Sequence, residues 1–221
     1  MTVACPGYIP PDLIRFPQVN YEWDDWDPYA PLGEQSEETM SQLAQLSDRA
    51  KIAYSIACAE WVVWRLSERV DNKIPYLFLE ACWAFEMDKG YVAPKPLEEK
   101  EWQGPVYGAI DLALVTVLNT YYATENGEAE VESALGELLA LHVLPDSQAF
   151  YAWRSRIFER LVRCYRRLSD DVWGEPVPRE ALDPAIHLDS TQKGKMVTGF
   201  LRRLDPKENP FLNYTGGDNS Q

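Results

Sequence analysis

Apolar residues recur at three- and four-residue spacing along most of the chain, which is the period of an α-helix. The clearest stripe runs from Phe150 to Leu168 and follows two potential caps, Asp146 and Ser147. Its members are Phe150, Trp153, Ile157, Leu161, Cys164 and Leu168. The pattern predicts a helix that buries one face and exposes the other.

A serine followed by two acidic residues indicates the start of another helix. Ser36 is followed by Glu37 and Glu38, and a serine in this position accepts a hydrogen bond from an amide of the first turn. Acidic side chains in that turn interact favourably with the positive end of the helix dipole. We therefore expect a helix from Ser36 to about Leu46.

The most apolar part of the chain is 49–70, where apolar side chains lie on nearly all sides of a helical projection. Such a segment predicts a central, buried helix. Ser47 and Asp48 precede it, either as caps of a new helix or as part of one long helix. The Ile74-Pro75 pair then begins another helix, which Lys89-Gly90 closes.

Three further helices complete the prediction. One begins at Gly104-Pro105, one runs from Glu128 to about Leu141, and a short one spans roughly 193–204. No strand pattern of useful length is present. The expected fold class is therefore all-α: a single-domain helical bundle or array of about six to seven helices with an extended N-terminal arm.

Proline and aromatic residues set the first part of the chain apart. Residues 1–35 are proline-rich and lack a sustained helical period, yet they are too aromatic for a disordered tail. We predict an extended acidic and aromatic arm at 1–35 that packs on a helical domain at 36–204. A C-terminal tail is expected at 205–221, and a surface loop is expected around the charged run 98–101.

The charge of the chain is strongly negative and unevenly distributed. The formal net charge is -14, and nine acids with a single arginine lie within residues 1–48. A field of this sign repels a nucleic-acid backbone and attracts basic partners. The N-terminus lacks the pattern of a secretion signal, and no apolar run is long enough for a membrane span, so we expect a cytoplasmic protein.

The residues that most enzymes use for catalysis are scarce. Of the 2 histidines, His142 is near a helix end and His187 is in a proline-rich segment, and neither has the spacing of a metal ligand. Motifs for di-iron sites, nucleophilic serines and phosphate-binding loops are absent. We therefore expect no catalytic residues, no metal ligands and no cofactor, and we predict a protein that is not an enzyme.

Two groups of carboxylates leave an enzymatic alternative open. The DDWD motif at 24–27 is similar to the aspartate-rich motifs with which helical terpenoid-type synthases bind metal and diphosphate, although here it is on an arm. Glu60, Glu80 and Asp111 each lie among apolar neighbours and would form a buried acid cluster if they met. One alternative function, the second of two, is therefore a helical metal-dependent enzyme that acts on a diphosphate.

Tryptophans beside acids favour a binding function. Trp23 and Trp26 lie on the arm, and Trp102 and Trp173 lie in loops. Aromatic side chains ringed by charge are typical anchors of protein interfaces, but the same rings could also staple the arm and loops to the bundle. The candidate partner-binding residues are Trp23, Asp24, Asp25, Trp26, Asp27, Glu34, Glu37 and Glu38.

An internal partner for the same acids is also present. Residues 154–167 contain six arginines, and four of them fall on one face of the predicted helix. These four are Arg156, Arg160, Arg163 and Arg167. Because the rest of the chain is so acidic, we expect the arginines to pair with the protein's own acids, including an arm at 22–38 folded across them, rather than with nucleic acid.

With its small size, acidic charge, predicted helical fold and lack of catalytic residues, the chain resembles the immunity proteins of bacterial toxin-immunity pairs. The resemblance rests on these class properties and not on a motif. It implies a protein that binds and neutralises a cognate toxin, often a basic nuclease, with acidic side chains in place of substrate phosphates. An acidic adaptor or DNA-mimic binding protein is the first alternative, ahead of the metal-dependent enzyme. The partner's identity and the oligomeric state stay open.

Overall fold

The structure, a computed structural model, describes residues 4–15, 18–97 and 102–216. The chain is 55% helical and 3% strand, so the predicted all-α, single-domain class is confirmed. In the described ranges the helices are α1 (Pro11–Ile14), α2 (Glu37–Leu43), α3 (Asp48–Arg65), α4 (Ile74–Met87), α5 (Gly104–Ala123), α6 (Ala129–Val143), α7 (Gln148–Cys164) and α8 (Lys193–Leu201). The added helix, α1, is one turn that begins at a proline.

Helix α3 forms the centre of the bundle. All of its residues except Trp64 are buried, and it packs against α4, α5 and α6. It is a separate helix and not a continuation of α2, because the Ser47 hydroxyl oxygen accepts a hydrogen bond from the Ala50 amide at 3.3 Å. This serine N-cap satisfies one of the amides that the first turn leaves without a helical partner.

The N-terminal residues contribute to the core. The Tyr8 ring stacks on Trp153 of α7, with 5.4 Å between the ring centroids, and it also contacts Trp61 of α3. The Trp153 indole nitrogen donates to the Leu182 carbonyl at 2.8 Å, which fixes the 3-10 turn Arg179–Leu182 against α7. Segments from the two ends of the chain therefore meet on one side of the bundle.

Two very short strands pair residues that are far apart in the sequence. Strand β1 (Tyr91–Val92) is antiparallel to β2 (Asn213–Tyr214), with Tyr91 opposite Tyr214. The expectation of no strand of useful length missed this pairing because each strand has 2 residues. The predicted tail is packed against the bundle along part of its length, since Asn209 is fully buried and donates to the Leu77 carbonyl at 2.8 Å.

Helix α7 ends earlier than its apolar stripe predicts. The predicted extension to Leu168 is wrong: the helix stops at Cys164, and Leu168 is 53% exposed. After the helix, the Tyr165 carbonyl accepts the Ser47 amide at 2.9 Å, and Arg166 pairs with Leu46 in an isolated bridge. Backbone pairing with the segment before α3 therefore replaces another helical turn.

No helix in the described ranges is long and apolar enough to cross a membrane. Parts of three predicted features lie outside the described residues. These parts are 1–3 and 16–17 of the arm, the charged run 98–101, and 217–221 of the tail.

Candidate functional site

The arm packs along helices α5 and α6. At one end, the Tyr21 hydroxyl donates to the Pro105 carbonyl, and the His142 ring nitrogen lies 2.7 Å from the Glu22 carbonyl oxygen. At the other end, the Gln35 amide nitrogen donates to the Val131 carbonyl at 2.8 Å. Because Pro105 and His142 lie at one end of the helix pair and Val131 at the other, residues 21–35 follow its length.

Trp23 attaches the arm to the first turns of α5. Its half-buried ring lies so close to the helix that a Cβ at Gly108 would be 2.6 Å from Cζ2 of Trp23. The Trp23 indole nitrogen and the Gly104 amide both donate to Oδ1 of Asp25, each at 2.7 Å. Both hydrogen bonds lower the pKa of Asp25, and the bond from Trp23 has the larger effect. Two of the candidate partner-binding residues therefore hold the arm in place.

Trp26 differs from Trp23, although only three positions separate them. It is 96% exposed, whereas most large apolar side chains of the described residues are covered. The acids around it hold the local backbone: Oδ1 of Asp24 accepts the Trp26 amide at 2.8 Å, and Oδ1 of Asp27 accepts the Ala30 amide at 3.2 Å. The indole is therefore presented to solvent on a hydrogen-bonded turn with exposed carboxylates on both sides.

The remaining candidate acids lie around α2. Glu34 and Glu38 line a groove of about 280 Å³ between α2, α6 and α7, together with the apolar side chains Leu138, Leu141 and Tyr151. Glu37 is exposed in the first turn of α2 and is not among the groove residues. The structure thus joins two acids to an apolar and aromatic wall.

The arginines of α7 use partners other than the arm. Arg154 donates from Nε to Oε1 of Glu137 at 2.7 Å, and Glu137 also accepts the Tyr54 hydroxyl at 2.6 Å. The Arg160 guanidinium donates to backbone carbonyls, including that of Asp183 at 2.7 Å. In the described part of the chain, no ion pair joins the acids of 22–38 to these arginines.

The predicted four-arginine ridge is also incomplete. Arg167 lies beyond the end of α7, and its amide donates to the Gln45 carbonyl at 2.8 Å. The expectation that the arm would fold across an arginine helix is therefore wrong. Glu137 of α6 binds Arg154 and the segment 181–186 binds Arg160, whereas Arg156 and Arg163 are exposed to solvent.

The three isolated acids do not form one cluster. Glu60 and Glu80 line the same small cavity between α3, α4 and α8, whereas Asp111 is on α5 near Tyr29 of the arm. Burial raises the pKa of Asp111 to about 6. Glu80 accepts a hydrogen bond from the Asn209 amide nitrogen at 2.9 Å. The predicted cluster is therefore reduced to a pair.

Glu60 is the centre of a buried polar network that sequence reasoning missed. Its carboxylate accepts hydrogen bonds from the Tyr8 hydroxyl and, at 3.0 Å, from the Trp83 indole nitrogen. It also forms an ion pair with Arg179, with Nη2 and Oε1 at 2.7 Å. Burial lowers the pKa of Arg179, but the charge of Glu60, its hydrogen bond with Arg179 and the nearby Tyr8 together outweigh this effect, so the net pKa is raised. A glutamate inside an apolar helix indicates a buried cation, but not which one.

A second buried carboxylate lies near the loop tryptophan Trp173. Oε1 of Glu86 accepts the Val177 amide at 2.9 Å, while its other oxygen is buried without a hydrogen-bond partner. Burial raises the pKa of Glu86 to about 8, although the Val177 amide and the Arg49 charge act in the opposite direction. Trp173 contacts the cations of Arg49 and Lys89, at 5.7 and 5.2 Å from its ring centroid. Trp173 therefore attaches its loop to the helical bundle.

The comparisons with known proteins provide no family for the chain. No family model matches it, and neither a curated protein nor a solved structure matches it. Among the described residues, no group of three or more His, Cys, Asp and Glu side chains could hold a metal ion. The DDWD carboxylates at 24–27 accept backbone and indole hydrogen bonds on the arm instead.

Proposed function

We propose that the protein is a cytoplasmic immunity protein that binds and neutralises a cognate bacterial toxin. The observation that carries this proposal is Trp26, which is 96% exposed on a turn that Asp24 and Asp27 hold. The hydrogen-bonded turn fixes the backbone beneath the ring, so only the Trp26 side chain has to be ordered when a partner covers it, which suits it to anchor an interface.

Charge supports a basic partner. The net charge of -14 attracts a positively charged protein over distance and accelerates the encounter at low salt. Arg154 also lines the groove beside α2, but Glu137 neutralises it, so Glu34 and Glu38 leave the groove negatively charged. The groove therefore suits a lysine or arginine side chain, whose aliphatic stem would contact Leu138 and Leu141. In this proposal the acidic groups replace the phosphates of the toxin's substrate, and the protein itself performs no catalysis.

The test begins with partner capture on the full chain from the native cell. Wild type and Trp26→Ala are used as baits, the protein enriched only by wild type is identified, and its activity is measured with and without the purified immunity protein. We expect a toxin whose activity is inhibited at a one-to-one or similar ratio. Trp26→Ala should raise the dissociation constant by about 30-fold or more, the loss of affinity typical of an interface hot spot.

Two controls make the result specific. Tyr122→Ala removes another exposed aromatic ring, near the opposite end of α5, and should leave the affinity unchanged. Glu34→Gln with Glu38→Gln should slow association more than Glu175→Gln with Glu208→Gln, which makes the same charge change at exposed positions outside the groove.

The proposal fails if the captured partner keeps full activity when bound, or if Trp26→Ala and Tyr122→Ala bind it equally well. A partner that binds DNA and is displaced from the chain by competing DNA would support the DNA-mimic alternative. Turnover of a diphosphate by the purified chain in the presence of Mg²⁺ would support the enzymatic alternative.

A further inference from the structure

A separate cavity of about 340 Å³ lies on the side of the bundle where both ends of the chain meet. Its walls come from the N-terminal segment that includes Tyr8, the 3-10 turn Arg179–Leu182, and the end of α8. None of its lining residues belongs to the groove beside α2 or to the DDWD turn. The volume is within the range of small-molecule sites in proteins.

The cavity has a rigid polar wall. Arg179 lines it, and this side chain is held by Glu60, which in turn accepts hydrogen bonds from Tyr8 and Trp83. The Glu60 side chain is 2% exposed, while that of Arg179 is 26% exposed. Nε of Arg179 is buried without a hydrogen-bond partner, but the ion pair with Glu60 holds the guanidinium in place, so ligand binding would not have to reorder it.

Two lining side chains of opposite charge have no partner among the described residues: Glu180, on the 3-10 turn, and Arg203, just after α8. The other two lining carboxylates each accept a hydrogen bond from a neutral donor, although neither has an ion pair among the described residues. Glu80 accepts from Asn209 at 2.9 Å, and Oδ1 of Asp183 accepts the Ala185 amide at 2.9 Å. Glu180 and the exposed Arg203 are therefore the lining charges that no described hydrogen bond or ion pair engages, and both are available to a ligand.

The rest of the lining is apolar. Ile186, Phe200 and Leu204 lie beside these charges and offer a hydrophobic wall. A simple anion would meet the carboxylates of Glu80, Glu180 and Asp183, and a simple cation would leave the exposed Arg203 paired only with water. A ligand with both charges and an apolar body satisfies all three parts of the lining.

We infer that this cavity binds a small zwitterion of the α-amino acid class with an apolar side chain. The ligand's ammonium group pairs with Glu180, its carboxylate pairs with Arg203, and its side chain packs against Phe200 and Leu204. Charge-assisted hydrogen bonds of this kind are stronger than neutral ones and give the site its preference for a double charge. The inference is independent of the proposed toxin binding, because the two sites share no residue.

The first experiment is titration calorimetry of the full chain with leucine and phenylalanine. Two singly charged analogues of leucine, 3-methylbutylamine and 4-methylpentanoate, test the need for both charges. We expect saturable binding of the amino acids with a dissociation constant between about 1 μM and 1 mM. Each analogue should bind at least about ten-fold more weakly, because one charged group of the site stays unpaired.

Single-residue variants then locate the site. Arg203→Gln and Glu180→Gln should each weaken amino acid binding by about ten-fold or more. Arg202→Gln is the matched control, since Arg202 is the exposed neighbour of Arg203 and does not line the cavity. Circular dichroism melting verifies that each variant is folded.

Three results would overturn the inference. The first is the absence of binding heat and of thermal stabilisation with either amino acid up to about 10 mM. The second is an analogue that binds as tightly as leucine. The third is an Arg202→Gln variant that loses as much affinity as Arg203→Gln.

Discussion

Nη2 of Arg179 lies 2.7 Å from Oε1 of Glu60, and this ion pair joins the central helix to a loop 119 residues later in the chain. The Glu60 side chain is 2% exposed, so an unpaired Arg179 would retain its charge beside a largely apolar interior. Replacement of Glu60 also removes the acceptor for Tyr8 and Trp83. The pair therefore fixes the turn that lines the cavity.

Glu60→Leu is expected to reduce the free energy of unfolding by about 3 kcal/mol, the low end for a broken buried pair, because Arg179 keeps some contact with solvent. Urea unfolding of wild type and variant measures the loss. Glu180→Gln, which alters an unpaired and only partly buried acid of the same cavity, should change stability by less than about 0.5 kcal/mol. A loss below about 1 kcal/mol in Glu60→Leu would contradict a structural role for the pair.

Glu86 should make stability depend on pH. Burial raises the pKa of Glu86 from 4.5 to about 8. Between these values the folded chain retains a proton that the unfolded chain releases, so the contribution of Glu86 to stability is present at low pH and is lost as pH rises through this window. The slope reaches about 1.4 kcal/mol per pH unit for a single group.

Glu86→Gln removes the titrating carboxyl group, while the carbonyl oxygen of the new amide still accepts a hydrogen bond from the Val177 amide. We expect the variant to lose less stability than wild type between about pH 5 and pH 8 and to be the more stable protein at pH 8. Urea unfolding over this pH range measures both curves. Glu175→Gln, at an exposed carboxylate, should follow the wild-type curve; parallel curves for wild type and Glu86→Gln would refute the prediction.

Gly108→Ala should weaken the attachment of the arm. An added Cβ would lie 2.6 Å from Cζ2 of Trp23, so the ring must move away from α5. We expect faster proteolysis of the arm and faster amide exchange at Gly104, whose amide donates to Asp25.

Gly199→Ala in α8 is the matched control. Its added Cβ would meet nothing closer than an Arg203 nitrogen at 4.0 Å, so this substitution should stabilise the protein by about 0.5–1 kcal/mol. An arm that is cleaved at the wild-type rate in Gly108→Ala would show that Trp23 does not attach it.

The two arm tryptophans should respond differently to alanine substitution. Trp23→Ala removes a half-buried ring and its hydrogen bond to Asp25, and should lower the free energy of unfolding by about 1–3 kcal/mol. Trp26→Ala removes a ring that is 96% exposed, and should change stability by less than about 0.5 kcal/mol. Thermal and urea unfolding measure both. Equal losses would mean that Trp26 is covered in solution.

Most of the helices could be predicted from the sequence because their signals are local. Ser36 and Ser47 act within their own first turns, and the apolar repeat indicates which face of each helix is buried. The end of α7 could not be predicted in this way. The apolar repeat continues to Leu168, but pairing of Arg166 with Leu46, 120 positions earlier, ends the helix at Cys164.

For the candidate site, the sequence predicted which residue types it contains but not how they are arranged. The amino-acid pattern alone specifies an acidic, aromatic arm before a helical bundle, because charge and periodicity are properties of the chain itself. Tertiary structure separates Trp23, which packs on Gly108, from Trp26, which faces solvent, although both tryptophans stand beside aspartates. It also selects Arg179 as the partner of Glu60. Such pairings depend on which distant parts of the chain come into contact, and the spacing of residues along the sequence does not specify those contacts.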